Sequence, residues 1–259
     1  EMLSRFQGPV KQRKIINDIS NGKIDIVIGT HRIVQSDVNF HDIGLLIVDE
    51  EQRFGVTHKE YIKKLRTSID VLTMTATPIP RTLFMTLSGA RDISQINTAP
   101  ESRLPIITKI TKFDENVIKK AILQELNRGG QIFFVHNRVQ TIEATAKLID
   151  SLVPNARTII AHGQMPENTL KKSMEKFINH QFDILVCTTI IENGLDIPNV
   201  NTLIVDQADM FGLSQLYQLR GRVGRGTKRA HAYFLYRNDR KYILSEEAQM
   251  RLTTLSENS

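Results

Sequence analysis

The sequence predicts an α/β protein made of two units, each a parallel sheet with helices packed on both faces. Short apolar runs at residues 24–28, 45–48, 71–74, 132–135, 184–187 and 203–205 are bounded by polar residues or glycine, the pattern of strands buried on both sides. Helical periodicities recur between several of the later runs. A chain of 259 residues is also longer than most single domains, so two units are expected.

Each periodic stretch lines one helix face. Val117, Ile118, Ala121, Ile122 and Leu126 form the first set, and Val139, Ile142, Ala146, Ile149 and Leu152 the second. Leu170, Met174, Phe177 and Ile178 form the third. Gly129-Gly130 is placed to end the first helix with a left-handed cap just before a strand. Strands alternating with helices imply βαβ units. The stretch Thr98-Ala99-Pro100-Glu101-Ser102-Arg103-Leu104-Pro105 is polar, carries two prolines and lacks a helical period, so it is expected to be a linker. The first unit is expected over 1–104 and the second over 105–240. Residues 241–259 should begin a following region, with a helical stretch at 248–255.

Composition narrows the classes. Hydrophobic residues make up 41% and charged residues 24%, an ordinary balance for a chain that buries a core. No window approaches the ~18 apolar residues of a membrane span, and no signal peptide is visible, so no membrane role is expected. A single cysteine, Cys187, excludes an internal disulfide framework and a Cys-based zinc cluster, and favours a cytoplasmic setting. Cys187 ends an apolar run and is expected in the core. The net charge of +6 is compatible with a polyanionic partner, although the excess is spread along the chain.

Four segments carry chemistry. In Leu45-Leu46-Ile47-Val48-Asp49-Glu50-Glu51-Gln52 a buried strand delivers carboxylates to the carboxyl edge of a sheet, where such folds bind ligands. An Asp there can hold Mg²⁺ through water, and the neighbouring Glu can activate water against a γ-phosphate. A solvated strand end explains the same residues. Thr73-Met74-Thr75-Ala76-Thr77-Pro78 follows another apolar run, and reads either as hydroxyls bonded to those carboxylates or as a turn before Pro78. Thr188-Thr189-Ile190-Ile191-Glu192-Asn193-Gly194-Leu195-Asp196 offers a close backbone approach at Gly194 and a partner for a ribose hydroxyl at Asp196. Gln218-Leu219-Arg220-Gly221-Arg222-Val223-Gly224-Arg225 suits charge stabilisation on a transferring phosphoryl group, or simply a basic loop.

Taken in order, these segments resemble motifs II, III, V and VI of the superfamily 2 helicases, and the resemblance covers nearly the whole chain. Ile28-Gly29-Thr30-His31, Arg53-Phe54-Gly55-Val56, Ile79-Pro80-Arg81-Thr82-Leu83, His162-Gly163-Gln164-Met165 and Phe211-Gly212-Leu213-Ser214-Gln215 look like the signature shared by the Mfd and RecG families. Ser36-Asp37-Val38-Asn39-Phe40, Asp42-Ile43-Gly44 and Leu87-Ser88-Gly89-Ala90-Arg91-Asp92-Ile93-Ser94 are closer to the transcription-repair coupling factors, the Mfd family.

The resemblance implies two RecA-like doubly wound lobes, the first incomplete at its N-terminus, with ATP and Mg²⁺ as cofactors. It implies Asp49 at Mg²⁺, Glu50 at the attacking water, Gly194 and Asp196 at the nucleotide, and Arg222 and Arg225 at its phosphates. Gln218 would couple that contact, and Thr75 and Thr77 would link nucleotide state to lobe closure. Thr30, His31, Arg138, Gly163 and Thr188 would lie toward the DNA backbone, positioning without reading sequence. For His31 an ordinary loop histidine remains an equal reading, and His136 and His162 read as structural. The implied activity is ATP-driven translocation on double-stranded DNA that displaces stalled RNA polymerase. Contacts to the polymerase and to nucleotide-excision-repair proteins would lie outside this chain. RecG-type fork remodelling and a non-catalytic helicase-like module are the alternatives.

One departure from the family stands out. No G-x-x-x-x-G-K-[ST] phosphate loop occurs; the glycines from 221 to 226 are followed by Thr227-Lys228, in the wrong order. The chain also opens at Glu1 without a start methionine. A piece cut from a longer protein is therefore expected, inactive on its own.

Overall fold

The computed structural model describes residues 1–4, 7–51, 54–65, 68–75, 92–96, 98, 104–192, 197–237 and 243–257. They fall into two compact units, Glu1–Pro78 and Ile79–Ser259. Most of the expected linker lies outside the described residues.

In the first unit, β1 (Met2–Leu3) is followed by α1 (Pro9–Ser20), β2 (Ile28–Gly29), β3 (Leu45–Asp49), α2 (Val56–Leu65) and β4 (Asp70–Met74). Proline at the start of α1 suits a position whose N–H has no helical partner. Ile15 and Ile19, four apart on α1, pack with Leu3 and Val38 into a small core. β1 pairs with β2 and β3 with β4, both in parallel. The run at 24–28 was expected to be one buried strand, yet only Ile28 of it is in a strand, and Ile28 is exposed. β3 and β4 also depart from two-sided burial. Val48 is buried, whereas Leu45, Ile47, Leu72 and Met74 are 44–55% exposed. Ile47 pairs with Leu72, so these residues share one open face.

In the second unit the expected apolar runs at 132–135, 184–187 and 203–205 are buried strands. Its strands are β5 (Ile107–Lys112), β6 (Gln131–Val135), β7 (Thr158–Ala161), β8 (Ile184–Cys187), β9 (Val200–Val205) and β10 (His231–Tyr236). They form one six-stranded parallel sheet in the order β5-β10-β9-β6-β8-β7. Every residue of β6, β8 and β9 is buried.

Among the described residues, five helices cover that sheet: α3 (Glu115–Asn127), α4 (Ile142–Leu152), α5 (Glu167–Ile178), α6 (Leu213–Arg220) and α7 (Glu246–Glu257). Asp114 caps α3, its side chain accepting the Asn116 N–H at 2.8 Å. Alternation along the strands separates two cores. Ile132, Phe134, Ile184 and Val186 meet Ile118 and Ile122 of α3 and Ile142 and Ile149 of α4. Phe133, Val135, Leu185 and Cys187 meet Phe177 of α5, Leu216 and Leu219 of α6, and Leu252 and Leu255 of α7. Cys187 is buried as expected, and burial pushes its thiol pKa up.

The turn between α3 and β6 holds a buried carboxylate. Gly129 adopts the expected left-handed conformation, with φ of 69°. Glu125 on α3 is fully buried; it accepts hydrogen bonds from Thr202 of β9 and from the Arg128 guanidinium. A Cβ on Gly130 would sit 1.6 Å from Glu125 Oε1, so only glycine leaves room for the carboxylate. Gly130→Ala should therefore push Glu125 off its partners and destabilise this unit by roughly 1–3 kcal/mol, measured by chemical denaturation.

Candidate functional site

In the first unit, the parallel register sets Asp49 opposite Met74, so Glu50 and Thr75 follow at the ends of neighbouring strands. The Glu50 N–H donates to Met74 O at 2.9 Å, which joins the two strand ends. Asp49 is exposed, and its carboxylate takes no partner among the described residues. Glu50 has φ of 54°, in the left-handed region that side-chain-bearing residues rarely adopt. Such strain costs on the order of 1–3 kcal/mol and gathers at functional positions.

Thr30 and His31 sit at the exposed start of the 3-10 turn His31–Val34, directly after β2. The His31 ring lies 4.6 Å from that of Phe54 and 5.4 Å from that of His58. The next basic residue is engaged elsewhere: Arg32 makes a two-pronged bond to Asp37 at 2.6 and 2.7 Å, which holds the Asp37 carboxyl below the usual carboxylate range.

In the second unit, parallel pairing puts the carboxyl ends of all strands on one edge. Val205, Val135, Cys187 and Ala161 are in register across β9, β6, β8 and β7. The residues that follow form a row along that edge: Asp206, His136, Thr188 and His162. Arg138, Thr188 and Gly163 thus occupy three adjacent loops, although 50 residues separate the first from the last along the chain. The Arg138 side chain is exposed and unpartnered among the described residues, Gly163 is exposed and Thr188 is half-buried.

Gln218 lies on α6, and Arg222 and Arg225 on the turn beyond it. The three arginines of this segment differ in role. Arg220 is committed to packing, with its guanidinium 4.9 Å over the Tyr217 ring and Nη1 donating to Leu255 O of α7 at 3.2 Å. Burial lowers its pKa from the ordinary value, opposed by the nearby Tyr217. Arg222 is half-buried and donates from Nη2 to Glu192 O at 2.9 Å, which ties it to the turn after β8. Arg225 is exposed. Gly194, Asp196 and Thr77 lie outside the described residues. Among the described residues, no three metal-ligating side chains cluster, and no helix is long and apolar enough to cross a membrane.

Sequence reasoning singled out the carboxylates, the arginines and the edge loops as candidates. It took His136 as structural and did not link it to Asp206, 70 residues away, although the two side chains meet at 2.8 Å. No spacing rule could have paired them.

Two family models match in tandem. "DEAD/DEAH box helicase" covers residues 2–86 and "Helicase conserved C-terminal domain" covers residues 114–227. With parallel sheets of RecA-like lobes and motif residues at their carboxyl edges, this places the chain among the superfamily 2 helicases.

Within that class the similarity is specific. The chain is 55% identical over 99% of its length to a transcription-repair-coupling factor of Mycobacterium bovis, 54% over 99% to one of Bacillus subtilis, and 51% over 99% to one of Escherichia coli. Nearly the whole chain thus resembles one segment of the transcription-repair-coupling factors. It spans 21–22% of the length of these three relatives. A structure of RecG bound to a three-way DNA junction matches 100% of the chain and 34% of its own, with a TM-score of 0.73 and 34% identity. A Mycobacterium smegmatis helicase Lhr structure, at 14% identity and TM-score 0.70 over 98% of the chain and 36% of its own, shares the fold.

Proposed function

We propose that this chain is the motor core of an ATP-dependent double-stranded DNA translocase that acts in transcription-coupled repair by displacing stalled RNA polymerase. The observation that carries this reading is 51–55% identity, over 98–99% of the chain, to proteins named transcription-repair-coupling factor. The chemistry of the residues supports it. Contacts to RNA polymerase and excision-repair proteins belong to other parts of the full-length protein, which works in the cytoplasm.

The exposed, unpartnered Asp49 carboxylate fits Mg²⁺, which binds through one or two carboxylates and keeps much of its water. The ion, when bound, neutralises charge on the phosphates of ATP. Glu50 orients and deprotonates the attacking water. Arg222 and Arg225 stabilise charge that grows on the transferred phosphoryl group. Gln218 positions those arginines, and Gly194 and Asp196 line the nucleotide. Thr75 and Thr77 couple nucleotide state to movement of the motor. Thr30, His31, Arg138, Gly163 and Thr188 hold the duplex backbone through groups that carry no sequence preference. Without a phosphate loop of its own, this chain alone binds ATP weakly and turns over negligibly.

The full-length protein is to be added with ATP to RNA polymerase stalled on duplex DNA by withholding one nucleotide. Release of the transcript that requires ATP hydrolysis is expected. The RecG likeness, at 34% identity over the whole chain, keeps a second reading in play. ATP-driven regression of a model replication fork, with no polymerase release, would establish fork remodelling instead.

A further inference from the structure

At the carboxyl edge of the second sheet, a buried chain of side chains reaches out to the loop that carries Arg138. His136, the first residue after β6, is 3% exposed, and Asp206, the first after β9, is 2% exposed. His136 Nδ1 lies 2.8 Å from Asp206 Oδ2, and His136 Nε2 lies 2.7 Å from Thr141 Oγ1. A carboxylate can only accept, so Nδ1 carries a proton toward Asp206, and in the neutral ring Nε2 then accepts the Thr141 hydroxyl proton. The Thr141 backbone N–H in turn donates to Arg138 O at 3.2 Å. The ring therefore closes the loop of residues 137–140 from beneath, while the Arg138 side chain stays exposed and unpartnered among the described residues.

Two features argue against a merely stabilising role. Asp206 Oδ1 is buried with no hydrogen-bond partner among the described residues. A half-satisfied buried carboxylate is a poor way to stabilise a core, where well-packed apolar groups do as well or better. Asp206 also stands at a bend, since Gln207 follows with φ of 51° in the left-handed region. The segment beyond leads into α6, which carries Gln218 and the arginines.

We propose that His136 is a positioning residue for duplex contact: Asp206 fixes its ring, the ring holds Thr141, and Thr141 sets the loop that presents Arg138. Pre-organising a loop lowers the ordering cost of binding, so its loss weakens association rather than chemistry. This rests on the reading of Arg138 as a DNA contact, and the experiment separates the two.

ATP hydrolysis by the full-length protein is measured against duplex concentration. Thr141→Val removes the hydroxyl at nearly constant volume, and Thr141→Ser keeps it. Thr141→Val should raise the half-stimulating duplex concentration roughly tenfold, the size of one lost hydrogen bond, with the saturating rate within about twofold. Thr141→Ser should restore the original value. Because the loop acts through Arg138, adding Thr141→Val to Arg138→Ala should change little more. If Thr141→Val fails to fold, His136→Asn serves instead, since it keeps a donor toward Asp206 and loses the reach to Thr141. An unchanged half-stimulating concentration in Thr141→Val, with a raised one in Arg138→Ala, overturns the positioning role and leaves the DNA reading intact. No change in Arg138→Ala overturns the DNA reading itself.

Discussion

Arg225→Ala in the full-length protein should lower DNA-stimulated ATP hydrolysis by about 1,000-fold or more, the scale of removing an arginine finger. On the proposed role the guanidinium would meet charge that is larger in the transition state than in bound ATP, so the loss should fall on kcat and leave nucleotide affinity within a few-fold. Steady-state hydrolysis and equilibrium binding of a non-hydrolysable analogue test both halves. Arg225 is the probe chosen in this segment because its residue is exposed, whereas Arg220 and Arg222 are half-buried. Arg220 packs on Tyr217 and holds α7, and Arg222 is bonded to Glu192 O. Their replacement would mix chemistry with stability. A loss under tenfold in Arg225→Ala would remove this residue from the phosphate site.

Glu50→Gln should be nearly as severe, lowering hydrolysis about 100- to 10,000-fold, the range of a general base. The amide matches the carboxylate in shape but cannot take a proton. Glu50→Gln leaves the backbone bond from the Glu50 N–H to Met74 O in place. Single-turnover hydrolysis should show the deficit. Full activity in Glu50→Gln would move the base elsewhere. Asp49→Asn should instead raise the Mg²⁺ concentration needed for half-maximal rate.

How much of this was legible depended on whether a residue's role is local. The continuous apolar runs of β6, β8 and β9 were readable because a strand covered on both faces has no polar side to show. The same reading failed for β3 and β4, where equally apolar runs leave Leu45, Ile47, Leu72 and Met74 on an open face. Hydrophobicity records what a strand is suited to face, and not what packs there. The left-handed cap at Gly129 was visible, being a property of one turn. The reason for Gly130 was hidden, because the group that needs the space is the Glu125 carboxylate, held from the far side by Thr202.

The sequence by itself determined the α/β class, four of the five described helices over the second unit's sheet, and the identity and order of the motif residues from Asp49 to Arg225. These follow from short-range patterns of period and motif spacing. Only the tertiary structure decided which strand ends are neighbours. The order β5-β10-β9-β6-β8-β7 draws Arg138, Thr188 and Gly163 onto adjacent loops and sets Asp206 against His136. It also separates an arginine committed to packing α7 from the one left exposed. The reason is physical. A residue's own neighbours in sequence set its backbone preference, whereas contacts across a sheet arise from how whole strands and helices pack, and no single stretch of chain records that.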